Sequence, residues 1–436
     1  MYKRLIVFIL IGFLAVSAVS AADESVGSFS ELQDIIDNAS EGSVINLTKD
    51  YVNDMGREIN IEKVLTINGN NHVLDGKSKS GIFNIYSPVI LNGITFVNGK
   101  SSMGGAVFQN NGGEIKNCIF KNNKAEYGGA VYQVDGKISN CEFRKNTAQS
   151  DGGAVYQMNG KITDSKFTSN GAKIDGGAVY QENGDISSSE FKNNHVDIQG
   201  GAVSQKNSKI SNSVFRGNVA KTSGGAVYQE NSIVSDSVFT NNKVDYKNDG
   251  LTYWGGAVDQ KDSVIRDSTF ISNSAMYGGA VSSYLGNKIY NSTFIANKGI
   301  DGGAVFQLES SIYDSTFLNN HANRGGAVYQ VESGVYSSTF TENSAYEGGA
   351  IEQYSSTTED SSFTNNTAKY GGAIYSEDSE IINCTFKGNH ANHGDDIYPG
   401  GENGSEYEIN TQNQSGNPIL LLLLSLVVPV FHRKLN

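Results

Sequence analysis

Few residue groups in this chain have the types and spacing that chemistry requires. The best candidate is His393-Gly-Asp-Asp396, where an imidazole and two carboxylates fall within one tetrapeptide. Paired carboxylates can act as general acid and base on a glycosidic bond when their separation suits the reacting groups between them. This tetrapeptide, however, stands where a Gly-Gly-Ala turn belongs in the last, worn copy of a repeat, and decay of the repeat accounts for it. Asp151 and Asp175 each precede a glycine pair. In a stacked fold they would lie one above the other, either sharing a cation or forming solvated surface. The 6 histidines have no ligand spacing, and neither a Gly-x-Ser-x-Gly elbow nor a phosphate loop occurs. The expectation is a non-catalytic protein with no catalytic residue, no metal and no cofactor.

Aromatic side chains are the sharper candidates. The segment 243–254 holds the 1 Trp of the chain, Trp254, together with Tyr246 and Tyr253. It coincides with a long step in an otherwise even repeat. Insertions in solenoids map to protruding loops, and aromatic faces are what sugars and partner proteins pack against. Tyr246, Tyr253 and Trp254 are therefore the expected ligand contacts, the bland alternative being a loop without a partner. Residues 245–250 superficially match a calcium loop, but Lys247 stands at a ligand position. A second set, Tyr132, Tyr156 and Tyr180, is expected to face outward, as an aromatic ladder that stiffens a sheet or as a binding stripe.

The elements that position these residues follow from one repeat. Gly-Gly-Ala begins at Gly104, Gly128, Gly152, Gly176, Gly200, Gly224, Gly255, Gly278, Gly302, Gly325, Gly348 and Gly371, in steps of 23 or 24 except for one of 31. Phe followed three residues later by Asn keeps the same beat, from Phe120 with Asn123 to Phe386 with Asn389. Each copy reads as short β-branched pieces, Ala-Val-Tyr and then Ile-x-x-Ser-x-Phe, separated by turn residues. A period of this length leaves no room for a helix beside two strands, and the Leu-x-x-Leu-x-Leu pattern is absent. The remaining solution is all-β: a coil of parallel strands, one turn per repeat, rising ~4.8 Å each time.

Equivalent residues then stack in columns. Val107, Val131 and Val155 begin one core column and the phenylalanines another, each buried side chain contributing roughly 1.5–3 kcal/mol. Gly104, Gly105, Gly128 and Gly129 are read as turn residues, because Gly adopts positive φ without steric cost. Asn123, Asn146, Asn170, Asn194 and Asn218 are read as a ladder, tolerating the same region and bonding amide to amide between coils. Cys118 and Cys141 take the Ser position of consecutive coils, where buried thiols are expected in preference to a poorly oriented disulfide.

The flanks close and address the rod. Ser30-Glu-Leu-Gln33 fits a capping box with Leu32, Ile35 and Ile36 at helical spacing, so an N-terminal helical cap is expected over residues 23–103 together with irregular early coils. Regular repeats fill 104–399, giving with the early coils sixteen or seventeen turns and a rod roughly 80 Å long. Lys3 and Arg4, an apolar run and then Ser20, Ala21 and Ala22 read as a secretory signal over 1–22. Residues 400–417 read as a polar tether. The apolar stretch 418–431 with His432, Arg433 and Lys434 behind it makes 418–436 a thin membrane anchor or a processed sorting tail. Hydrophobic residues at 38% suffice for a core, and glycines without a three-residue period exclude collagen. A net charge of −13 argues against a nucleic-acid partner.

The paired Gly-Gly-Ala-Val/Ile and Phe-x-x-Asn motifs over 104–398 resemble the repeats of chlamydial polymorphic outer-membrane proteins. That resemblance implies a single-stranded, right-handed parallel β-helix displayed as an adhesin. No autotransporter barrel follows the last coil in this sequence. The signal, the Leu65-Thr-Ile-Asn-Gly69 segment and the Gly416-Asn-Pro tail look more like adhesin-like surface proteins of methanogenic archaea. The implied function is contact with cell-surface glycans or proteins of other cells, by a monomeric extracellular rod anchored through its C-terminus to membrane or cell wall. The alternative carried by fold analogy is a secreted polysaccharide lyase or glycoside hydrolase of the pectate-lyase type.

Overall fold

The computed structural model describes residues 26–245, 252–400 and 409–411. The signal, most of the tether, the hydrophobic tail and Tyr246 lie outside them. Each repeat winds into one coil of a right-handed parallel β-solenoid. The Ala-Val-Tyr piece, for example Val131–Val134, lies in a long sheet of 15 parallel strands running from Ile59–Ile61 to Ile397–Pro399. The Ile and Phe pieces, such as Lys137–Ser139 and Glu142–Arg144, contribute two strands per coil to a wider sheet. The fifteen turns rise over about 70 Å, shorter than the sequence reading, at the interstrand spacing of a β-sheet.

Register is strict: Val131 pairs with Val155 and Tyr132 with Tyr156, and Phe143 pairs with Phe167. The 31-residue step leaves it intact, because Val227 still pairs with Val258. Inside, phenylalanines stack ring on ring from Phe96 to Phe386, with centroids 4.7 Å apart and planes within 1° at Phe143–Phe167. This column, the valines and the isoleucines form one continuous buried core.

The two glycines of each pair are there for different reasons. The first, such as Gly128, has φ of +61°, which L side chains adopt only at a steric cost. The second is tight instead: a Cβ on Gly129 would lie 2.1 Å from the carbonyl oxygen of Gly153 in the next coil. The ladder asparagines are not left-handed, contrary to the sequence reading. That conformation falls on the residue before each, as at Asn122 and Lys145. The turn so formed aims the ladder side chain inward. Asn146 Nδ2 then donates to Asn170 Oδ1 at 3.0 Å and to the Phe120 carbonyl at 3.0 Å, and its Oδ1 accepts from Asn123 N at 3.0 Å.

Helix α1, Phe29–Asn38, is capped by Ser28, whose side chain accepts from Glu31 N; the capping residue is therefore not Ser30. Ser30 donates to Asp54 instead, through N at 3.0 Å and through Oγ. Phe29, Leu32 and Ile36 enter the common core while Ile35 faces out. Gln33 Nε2 donates to Asn60 O at 3.0 Å, and its Oε1 accepts from Asn60 N at 2.8 Å, so its amide satisfies the backbone of the first long-sheet strand. At the other end, Ile409–Thr411, within the stretch read as tether, adds a parallel strand to Glu380–Lys387. An otherwise unpaired sheet edge favours such pairing.

Candidate functional site

The sequence-derived aromatic contacts separate in the structure. Tyr253 turns inward, only 3% exposed, and packs with Val244 and Ala275, so it offers no contact surface. Those apolar neighbours, with Met276 packed against them, account for its orientation. Trp254 is not at a loop tip. It pairs in register with Ser223 on one side and Tyr277 on the other, immediately before its glycine pair. Its ring stacks on Tyr277 at 4.3 Å and meets Tyr284 edge-on at 5.1 Å, while Nε1 donates to Thr252 Oγ1 at 3.0 Å.

Tyr132, Tyr156 and Tyr180 do stack on the outer side of the long sheet, with centroids 4.9 and 4.8 Å apart and their rings half exposed. Trp254 belongs to this same face. Inward positions of each strand are fixed as Val and Gln or its equivalent, whereas the outward positions vary from coil to coil. Aromatic and acidic residues collect there. The sequence reading picked out the Tyr132, Tyr156 and Tyr180 stack but missed the wider clustering, because serines and acids interrupt the tyrosines farther along the column. It also missed a second ladder, visible as the Gln of Ala-Val-Tyr-Gln, in which Gln157 Nε2 donates to Gln133 Oε1 at 2.9 Å.

Acids on the outer face are held in unusual protonation environments. Asp175 N donates to Asp151 Oδ1 at 3.1 Å, so these two residues lie one above the other in consecutive coils. They are half buried rather than freely solvated. Burial, with the charge of Asp151 added, pushes Asp175 up to about 6. Asp259 takes a tyrosine position in its column and lies 8% exposed under the Trp254 cluster, accepting from Ser282 Oγ. Burial raises it to about 6, against hydrogen bonds from Ser282 and Ser223.

Farther along the same face, Asp301 is 2% exposed and receives two bonds from the Arg324 guanidinium, one from Nε at 2.8 Å. Arg324 lies over the Tyr329 ring, 5.0 Å from its centroid. Glu352 follows Tyr329 in register and has no exposed surface. Its Oε1 accepts from Tyr354 OH at 2.7 Å, while its Oε2 has no partner. Burial raises Glu352 to about 8, a shift that the Tyr354 bond and the Arg324 charge only partly offset.

His393-Gly-Asp-Asp396 serves the end of the solenoid. Gly394 has the positive φ of a first turn glycine. Asp396 Oδ1 accepts from Asn389 Nδ2 at 3.0 Å, completing the asparagine ladder where no further rung exists. Asp395 Oδ1 accepts from Ala391 N at 2.9 Å. Among the described residues, no three His, Cys, Asp or Glu side chains are placed to share a metal ion. Cys118 and Cys141 are free, buried thiols, with Cys118 N donating to Cys141 Sγ at 3.4 Å. One groove of about 510 Å³ lies away from this face, along a turn bearing exposed Asn159, Asn183 and Asn207 beside Lys161 and Lys209.

Comparison with known proteins is consistent with this geometry. Residues 104–261 match the family model described as a right handed beta helix region. Residues 314–330 and 360–377 match the Chlamydia polymorphic membrane protein repeat. No curated protein matches the chain. Among solved structures, the tailspike protein of E. coli bacteriophage HK620 in complex with a pentasaccharide is similar at 11% identity and a TM-score of 0.48, covering 86% of this chain and 77% of the tailspike. PfbA, a surface adhesin of Streptococcus pneumoniae, is similar at 12% identity and a TM-score of 0.36, covering 89% of this chain and 100% of that one. These likenesses concern the fold.

Proposed function

We propose that this chain is a cell-surface adhesion rod that binds glycans or the surfaces of other cells without turning them over. The observation that carries the reading is the outward face of the long sheet. It runs unbroken along the solenoid and presents half-exposed rings at the spacing of the strands. Such a face supplies many weak contacts in a row, which suits multivalent attachment. The polymorphic membrane protein repeats support display at a surface. The secretory signal and the hydrophobic, basic tail read from the sequence would deliver the rod and hold it by its C-terminus, as a monomer. Among the described residues no helix is long and apolar enough to cross a membrane.

Hydrolysis is the second reading, because burial holds Glu352 and Asp259 protonated to higher pH than ordinary carboxyls, as at many catalytic sites. Against it, Glu352 exposes no surface and Asp301 is engaged by Arg324, whereas a general acid must reach the bond it protonates. Beads coated with the purified full chain should adhere to cells and be displaced by added soluble chain. Protease treatment of intact producing cells should remove the protein. Beads that fail to adhere to any cell type, or release of reducing ends from a glycan panel, would overturn the passive adhesion reading.

A further inference from the structure

The outward face of the long sheet carries a charge bias that narrows what it can hold. Asp151, Asp175, Glu182 and Glu230 lie on its N-terminal half beside the tyrosines, and after burial itself their charges make the phenols of Tyr156, Tyr180 and Tyr228 weaker acids. On the C-terminal half, the cation Arg324 is bound to Asp301, and Glu352 lies next to it in the neighbouring column. Lys206 and Lys261 stand in the same column as Glu182 and Glu230, but the acids outnumber the cations, so a chain of carboxylates laid on this face would meet net like charge. Aromatic platforms spaced by one strand, by contrast, suit the flat apolar faces of pyranose rings.

A buried carboxyl marks the place where the rings of this face spread apart. Glu352 Oε2 has no hydrogen-bond partner although its residue is completely buried, a condition that costs about 1–3 kcal/mol. It sits among Tyr329, Tyr354 and Tyr375, whose successive ring centroids are 5.8 and 6.4 Å apart, wider than the 4.8 Å of a stacked ladder. Glu352 lies beneath these rings and holds Tyr354 through its hydroxyl at 2.7 Å, so it positions the platform rather than meeting a ligand itself.

We propose that this face binds an uncharged glycan laid along the rod, with its principal subsite at Arg324, Tyr329, Glu352 and Tyr354, and that it rejects polyuronates. The proposal rests on the adhesion reading and specifies its ligand. In this arrangement the rings stack on sugar faces, Arg324 meets hydroxyls, Glu352 positions Tyr354 from beneath, and the surrounding carboxylates exclude anionic chains. Nothing in it requires a metal or bond cleavage.

The test is calorimetric titration of the full chain with four hexamers: β-linked glucose, N-acetylglucosamine, glucosamine and galacturonate. At least one of the two uncharged hexamers should bind, and galacturonate should not. Tyr329→Ala should weaken binding at least tenfold. The isosteric Glu352→Gln, which keeps the packing, should weaken it severalfold in a protein that still melts cooperatively. Tyr313→Ala, in a separate ring ladder on the wider sheet, should leave affinity unchanged. Preference for galacturonate or glucosamine, or no binding of either uncharged hexamer, overturns the proposal. Binding indifferent to Tyr329→Ala and Glu352→Gln overturns the site while leaving a glycan-binding rod. Continued bead adhesion without any hexamer binding leaves the adhesion reading standing alone.

Discussion

Replacing Asn218 by alanine tests whether the inner ladder holds the coils together. Its Nδ2 donates to the Phe191 carbonyl and to Asn242 Oδ1, both at 3.0 Å. Its Oδ1 accepts from Asn194 N at 2.9 Å and Asn194 Nδ2 at 3.0 Å. Alanine removes all four bonds and strands two buried N–H groups of Asn194, while the Phe191 carbonyl loses a donor. Asn242 Oδ1 keeps its bond from Asn218 N. At about 1–3 kcal/mol for each buried group left unsatisfied, the variant should lose roughly 4 kcal/mol. Lys221→Ala, which breaks only an exposed ion pair with Asp197, should cost under about 1 kcal/mol. Because solenoids unfold by neighbouring repeats, urea denaturation should be joined to native-state hydrogen exchange. The Asn194 amide and the coils on either side should exchange faster, and distant coils should not. A loss below about 1 kcal/mol, or exchange that accelerates evenly along the rod, would refute the ladder's role.

Three other outcomes follow from the same geometry. Gly153→Ala should disrupt its coil outright, since the new Cβ would lie 2.1 Å from the Gly177 carbonyl; loss of the cooperative melt by circular dichroism checks it. Glu352, raised to about 8 in the folded state, binds its proton more tightly there than when unfolded. Its contribution to stability should therefore be fully present below about pH 4.5 and be lost as pH rises through 8, on the order of 4 kcal/mol. Urea midpoints measured across that range should fall with pH in the native chain and fall less in Glu352→Gln. The buried thiols Cys118, Cys141 and Cys384 should resist a thiol reagent in the folded protein and react on denaturation; immediate labelling of any one would contradict its placement.

Much of the fold was legible because an even period stacks like on like. Once Val, Phe and Asn recur every 23 or 24 residues, a coil with in-register columns is the arrangement that buries the first two and pairs the third. Details that depend on local backbone were less legible. In Phe-Lys-Asn-Asn, either asparagine could take the left-handed turn, and only the path of the chain assigns it to Asn122 so that Asn123 points inward. Ser28 and Ser30 are both capping residues by type, and packing of Phe29 against the first coil selects Ser28.

The candidate site was the least legible part. Trp254 was picked out as an aromatic, but its insertion suggested a protruding loop, whereas strand register seats it on the sheet face and turns Tyr253 into the core. Asp301, Arg324, Glu352 and Tyr354 carry no shared motif, occupying outward positions that the repeat leaves free. Periodicity determines which residues lie above one another, since that follows from counting along the chain. Which columns stand side by side, and how deeply a charge between them is buried, depends on the angles of the turns and the bulk of neighbouring rings. Only the tertiary structure supplies those.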